Sequence, residues 1–177
     1  TIYQQLVRLY YGDEVRAFRD RDHSPWRKIK EIKLAIQLYK RYPRDKILGD
    51  FLNLIYLGRG ANGIAEAPRR YFGKEMDALT TQEVAILASM NKSSKVYSPV
   101  FNEPDKNDPD YKNKHDVEVV RMSNARERYN SSLKRMREDG YISIVEYEKS
   151  LLNKDQDLSK SLVTLQPIKD RTFEYGN

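Results

Sequence analysis

Residues 46–74 read KILGDFLNLIYLGRGANGIAEAPRRYFGK. This stretch joins an apolar helical run to a glycine-broken loop and then to a short helix that stops at Gly73. Gly58, Gly60 and Gly63 permit positive φ or close backbone approach, and three within six positions is more than an ordinary loop needs. Taken alone, the segment reads as a tight interhelical connection. It gains meaning beside two upstream segments, TIYQQLVR at residues 1–8 and RKIKE at residues 27–31.

Outward from this block the pattern is helical nearly throughout. One helix is expected over residues 2–11, followed by a polar, charged loop over residues 12–25. A long amphipathic helix runs from about Trp26 to Tyr42, where Pro43 ends it because proline cannot continue the hydrogen-bond ladder. Another covers about Arg44 to Leu57. Beyond the glycines, Ile64 to Phe72 read as a helix capped by Gly73. Thr80 and Glu83 fit a capping box that opens the helix TTQEVAILASM. A long loop over residues 91–114 leads to a helix from about Asp116 to Glu138, ended by Gly140. Ser143 and Glu146 form a second capping box, opening a helix to about Leu152. Residues 1–152 form the expected domain, and residues 153–177 read as a weakly patterned tail or linker.

The 177 residues suffice for one domain with a real core. A net charge of +6 suits an anionic partner such as nucleic acid, acidic lipid or a phosphate-bearing substrate. The absence of cysteine excludes disulfides, thiolate metal sites and cysteine nucleophiles. His23 and His115 lie far apart in loop-like or boundary sequence and read as solvated residues. There is no apolar run long enough to span a bilayer and no signal peptide. Thr1 falls inside what reads as a helix, with no initiator methionine or cap before it, so residues upstream are expected to be missing.

The helix from Trp26 to Tyr42 carries charge in an unexpected place. At about 100° per residue, Ile32, Ala35, Leu38, Tyr39 and Tyr42 gather on one side, and Lys30, Lys33, Gln37 and Arg41 on the other. Glu31, the single acid between Arg27 and Arg41, falls within the apolar arc together with Arg27 and Lys28. A core-facing charge costs free energy unless it is paired or opens into a cleft. Two accounts stay open at this point. Glu31 could pair with Arg27 at i, i+4 spacing on a helix end that extends past the core. Alternatively, an acid and two cations converge at the mouth of a cleft. In the first helix, Gln5 and Arg8 share a face and can hold an anion or a sugar by several directed donors. A solvated helix face is the plainer reading of that pair.

Together these segments resemble the peptidoglycan glycosyltransferase (transglycosylase) domain of class A penicillin-binding proteins and of monofunctional transglycosylases. The similarity runs from Thr1 to about Leu151. Thr1-Ile2, Gln4-Gln5-Leu6 and Arg8 look like the motif S-T-I-T-Q-Q-L-x-K without its first serine. Arg27, Lys28 and Glu31 match R-K-x-x-E. Residues 46–74 match I-L-x-x-Y-L-N-x-x-Y-x-G-x-G-x-x-G, closing on Tyr71-Phe72-Gly73-Lys74. Leu79 to Ser89 and Tyr97-Ser98-Pro99 resemble the next helix and turn. Arg126 to Tyr141 resemble R-R-N-x-V-L-x-x-M-x-x-x-G-Y.

The resemblance implies a mainly α, lysozyme-like helical glycosyltransferase domain, incomplete at its N-terminus. It implies polymerisation of lipid II onto a growing glycan chain by inverting transfer, with release of a lipid pyrophosphate. It also implies a place on the extracytoplasmic face of the bacterial cytoplasmic membrane, with the anchor upstream and room for a fused transpeptidase domain after the tail. Glu31 takes the position of the family's second essential glutamate, which faces the donor pyrophosphate region. Arg8, Arg27 and Lys28 would contact phosphate, with Gln5 binding nearby. A divalent metal such as Mg or Mn would fit the departing charge, but its ligands are not identifiable from the sequence. The general base belongs to an E-D-x-x-F-x-x-H motif that does not occur in this chain, so the fragment alone is expected to be inactive.

The sequence departs from the pattern in several places. Tyr3 replaces a threonine, Arg8 a lysine, Leu9 an asparagine and Tyr39 a common glutamate, and Pro68 stands where a second alanine is usual. The 92–95 segment lacks the usual proline, and the 12–25 loop is longer than common. None of these changes removes the charged cluster. The competing readings are a non-catalytic helical module that binds anionic glycan, lipid or a cell-wall partner, and a basic nucleic-acid binder. The last is weakest, because cations are scattered among acids and no recognised nucleic-acid motif occurs.

Overall fold

The computed structural model describes residues 1–10, 25–100, 104–154, 156 and 158, with the backbone alone for residues 25–27. The expected loop over residues 12–25 and most of the tail lie outside the described residues, as does His23. Regular structure among the described residues is helical, in agreement with a mainly α fold class. The helices are α1 (Ile2–Tyr10), α2 (Pro25–Arg41), α3 (Arg44–Leu54), α4 (Ala67–Phe72), α5 (Thr81–Met90), α6 (Ser94–Tyr97), α7 (Tyr111–Glu138) and α8 (Ile144–Ser150). They gather into two compact units, Thr1–Ile55 with Asn62–Ile64, and Tyr56–Ala61 with Ala65–Asn177.

The first unit is built by α1 packing against both α2 and α3. Leu6 and Val7 on α1, Ala35 on α2, and Ile47 and Phe51 on α3 are buried. Pro43 stands in extended conformation between α2 and α3, as its missing N–H and fixed φ require. The third helix stops at Leu54, three residues short of the expected end. Ile55 turns extended, and its carbonyl accepts the Gly63 N–H at 2.8 Å while the Leu52 carbonyl accepts the Ile64 N–H at 2.9 Å. Those two bonds take carbonyls left open at the helix end. A Cβ on Gly63 (φ 80°) would stand 2.3 Å from the Asn53 carbonyl oxygen, so the position admits glycine alone.

In the second unit the glycine loop is pinned to α4. Tyr71 is fully buried, and its hydroxyl donates to the Leu57 carbonyl at 2.8 Å. A side chain at Gly58 would meet that hydroxyl at 2.7 Å. Residues 64–66 form a turn, and α4 begins only at Ala67. Pro68 is accommodated because it falls in the first turn, where no intrahelical N–H is required. Gly73 closes the helix in the left-handed region, as expected. The capping box of Thr80 and Glu83 is fully formed. The second box is half formed. The Ser143 hydroxyl accepts from the Glu146 N–H, but the Glu146 carboxylate is taken by the Thr81 hydroxyl instead.

The long helix α7 starts at Tyr111, earlier than expected, and buries Glu118, Met122, Ala125, Tyr129 and Leu133. Their spacing of three and four residues makes one continuous stripe, which packs on α5, α6 and α8. The Tyr129 hydroxyl donates to the Ser150 carbonyl at 2.8 Å, and burial raises its pKa. The segment between α5 and α7 is not all loop, because Ser93 caps the single turn of α6. His115 belongs to α7 and is half-buried beside the Tyr111 ring.

Candidate active site

The first unit holds the charged cluster. Glu31 lies in the middle of α2, where backbone N–H groups already serve the helix. It is 3% exposed. Lys28, one turn earlier, donates from Nζ to Glu31 Oε2 at 3.1 Å. Arg8 Nε from α1 lies 3.7 Å from the same oxygen, an ion pair without a hydrogen bond. The side chains of Arg8 and Lys28 are themselves 53% and 50% exposed. The carboxylate therefore sits inward, beneath two cations that face solvent. A simple surface pair would leave all three exposed.

Two features of the chain produce this arrangement. Leu6 and Val7 anchor α1, which carries Arg8 to the edge of the packed face. On α2 the buried residues are Glu31 and Ala35, with Leu34 and Leu38 half-buried. The inward direction of α2 is thus rotated toward Glu31. This corrects the wheel at two positions: Ile32 and Tyr39, placed on the core side, are 41% and 68% exposed. The small Ala35 is what the buried side of α2 offers to its neighbour, and bulky residues at 32 and 39 are turned outward. Tyr39 still meets the Tyr3 ring edge-on, with centroids 5.6 Å apart.

Of the residues expected at the site, Arg8, Lys28 and Glu31 are brought together. Gln5 is exposed, one turn before Arg8 on the same helix. The Arg27 side chain lies outside the described residues, so its pairing with Glu31 is not described. A guanidinium carries five donors in a fixed fork, so it can face Glu31 and a second oxyanion at once. Among the described residues no group of three His, Asp or Glu side chains converges on a point. Glu31 with two cations beside it does not make a cation cage, and no step is assigned to a metal.

The second unit also carries buried charged groups. Glu83 is buried and accepts from Lys74 Nζ at 2.8 Å and from the Thr80 N–H at 2.8 Å. Burial pushes its carboxyl up, but the bonds from Lys74 and Thr80 outweigh that and hold it below its ordinary value. Arg121 pairs with Glu118 and donates from Nη1 to the Ser98 carbonyl at 2.7 Å, with Nη2 reaching the Val100 carbonyl. The turn Tyr97-Ser98-Pro99 is thereby tied to α7. Spacing along the sequence gives no sign of this tie, because its partners are backbone carbonyls more than twenty residues away.

A sequence model described as Transglycosylase matches residues 1–137. The chain belongs to the transglycosylase family. It is 36% identical over 182 residues to penicillin-binding protein 1A of Aquifex aeolicus, covering 99% of this chain and 22% of that protein. It is 33% identical over 150 residues to penicillin-binding protein 1A of Escherichia coli, covering 85% of this chain and 15% of that one. A crystal structure of penicillin-binding protein 1A from Haemophilus influenzae aligns with a TM-score of 0.43 and 28% identity, over 73% of this chain and 16% of the other. The chain thus spans about a fifth or less of the length of these relatives. No helix among the described residues is long and apolar enough to cross a membrane.

Proposed function

We propose that this chain is the glycosyltransferase part of a peptidoglycan synthase, which polymerises lipid II into glycan strands by inverting transfer. The acceptor sugar hydroxyl attacks the anomeric carbon of the donor glycan, and the lipid pyrophosphate leaves with the bonding electrons. Negative charge grows on the departing phosphate. Arg8 and Lys28, joined by Arg27, would lie against that charge and stabilise it in the transition state. Glu31 would fix the two cations in place, with Gln5 binding nearby through its amide donors.

The general base is assigned to an E-D-x-x-F-x-x-H segment outside these 177 residues, so the chain tested alone should make no polymer. The site would work on the outer face of the cytoplasmic membrane, where a lipid-linked donor and acceptor are presented. A fused transpeptidase domain is compatible with the length of the penicillin-binding relatives. The domain is assigned to residues 1–152, with residues 153–177 leading onward.

The observation that carries this reading is an inward carboxylate held beneath two solvent-facing cations in a member of the transglycosylase family. Incubation of the intact parent protein with lipid II in detergent tests it. Glycan polymer on a gel is expected from the parent and none from the 177-residue chain. Failure of the parent to extend lipid II would overturn the assignment.

A further inference from the structure

We propose that Tyr3 and Tyr39 are positioning residues for the transfer reaction: a ring-to-ring clasp that holds Arg8 in place against Glu31. The inference deepens the proposed function and rests on it. Three of the departures from the transglycosylase pattern, at Tyr3, Arg8 and Tyr39, fall on one seam, where α1 packs against α2. Tyr3 stands in the first turn of α1 and Arg8 in its last turn. Tyr39 stands in the last turn of α2 and Glu31 in its first half. The Tyr3 ring meets the Tyr39 ring edge-on, with centroids 5.6 Å apart and planes at 81°. Arg8 Nε lies 3.7 Å from Glu31 Oε2. The two helices therefore run in opposite directions and meet at two places, about 7.5 Å apart along α1 and about 12 Å apart along α2. Tyr3 and Tyr39, each a departure on its own helix, touch one another, so the two replacements act as a pair.

The geometry gives that pair a role. The first helix has nine residues, and its fully buried side chains, Leu6 and Val7, are adjacent. Such an anchor fixes the middle of a short helix and leaves its tilt to contacts at its ends. At one end Arg8 is beyond hydrogen-bond range of Glu31, so that ion pair imposes little direction of its own. At the other end the tyrosines meet edge to face, a contact that orients as well as attracts. A tilt about Leu6 and Val7 moves Tyr3 and Arg8 in opposite senses, so freeing Tyr3 also frees Arg8. A cation aimed at a departing phosphate loses much of its effect when displaced by about 1 Å. Tyr39 is 68% exposed, so the pair adds little to the core, and its consequence is orientation.

The test uses the intact parent protein with lipid II in detergent, with kcat and KM measured beside the urea midpoint. Tyr3→Ala and Tyr39→Ala should each lower kcat about tenfold, with KM and midpoint little changed. The double variant should lose no more than either single one, because each change alone opens the clasp. Tyr3→Phe and Tyr39→Phe should keep kcat, since the ring contact does not use the hydroxyls. In a parent already carrying Arg8→Ala, adding Tyr39→Ala should lower kcat by less than about twofold more. A pair that only supports the fold would lower the midpoint and leave kcat per folded molecule unchanged, which would overturn the inference. So would losses that multiply in the double variant, a tenfold loss in the phenylalanine variants, or a full Tyr39→Ala effect in the absence of the Arg8 side chain. An unmutated parent that makes no polymer overturns the proposed function and this inference with it. Polymer from the parent, with unchanged kcat in the alanine variants, overturns the inference alone.

Discussion

Glu31 and Glu83 are two buried glutamates on helices, each with a lysine partner, and their surroundings differ in kind. Glu83 stands in the first turn of α5, where the helix has open N–H groups. The Thr80 N–H and hydroxyl bond its carboxylate, and Lys74 completes the set. Such a carboxylate is occupied by the fold. Glu31 stands in mid-helix, where the N–H groups of its own helix are already bonded. Its ion pairs run to long side chains that are half in solvent, one of them on a different helix. Burial alone does not separate a structural acid from a functional one. The described donors differ: the Thr80 N–H and hydroxyl with Lys74 meet Glu83, while half-exposed cations from α1 and α2 lie against Glu31.

The largest expected effect follows directly. In the intact parent, Glu31→Gln should reduce polymer formation from lipid II by at least about a hundredfold, since cations aimed at a developing charge contribute heavily to its stabilisation. Stability should change little, within about 1 kcal/mol, because Arg8 and Lys28 can return to water. Glu83→Ala should do the opposite. It removes a capping box and a buried ion-pair partner, and should cost about 2 kcal/mol, read from the urea midpoint.

Titration sharpens the same contrast. The folded Glu83 carboxyl is held below its ordinary value, so it stabilises the fold above the unfolded pKa of about 4.5. That contribution is lost as pH falls through the lower folded value. The difference in urea midpoint between the unmutated chain and Glu83→Gln should therefore be constant near neutrality and shrink below about pH 4.5. A difference that grew on acidification would mean that burial outweighs the bonds from Lys74 and Thr80.

The smallest effect concerns the half-formed capping box. Ser143→Ala removes one cap bond to α8 and should cost about 1 kcal/mol.

What could be read in the sequence was mostly local. Gly73 and the Thr80–Glu83 box announce their helix boundaries because the determinants lie within three residues of each other. The glycine block was visible as a whole, but the early end of α3 was not. It depends on bonds across the loop from Gly63 and Ile64. Glu146 satisfied the capping rule by spacing, yet its carboxylate was claimed by Thr81, sixty-five positions earlier. The helical wheel found Glu31 but misplaced Ile32 and Tyr39. Periodicity gives the spread of an apolar arc, and the packing of α1 against α2 helps decide which part of it faces inward. The tie from Arg121 to the Ser98 turn was invisible for the same reason.

One paired measurement separates the two glutamates most directly: polymer yield from lipid II beside the urea unfolding midpoint, for Glu31→Gln and Glu83→Gln in the same parent protein. The prediction is a crossed result. Glu31→Gln keeps its midpoint and loses its polymer, while Glu83→Gln loses midpoint and keeps substantial yield per folded molecule. Full polymer yield from Glu31→Gln, or a midpoint that falls as far as that of Glu83→Gln, would show that Glu31 serves the fold and not the reaction.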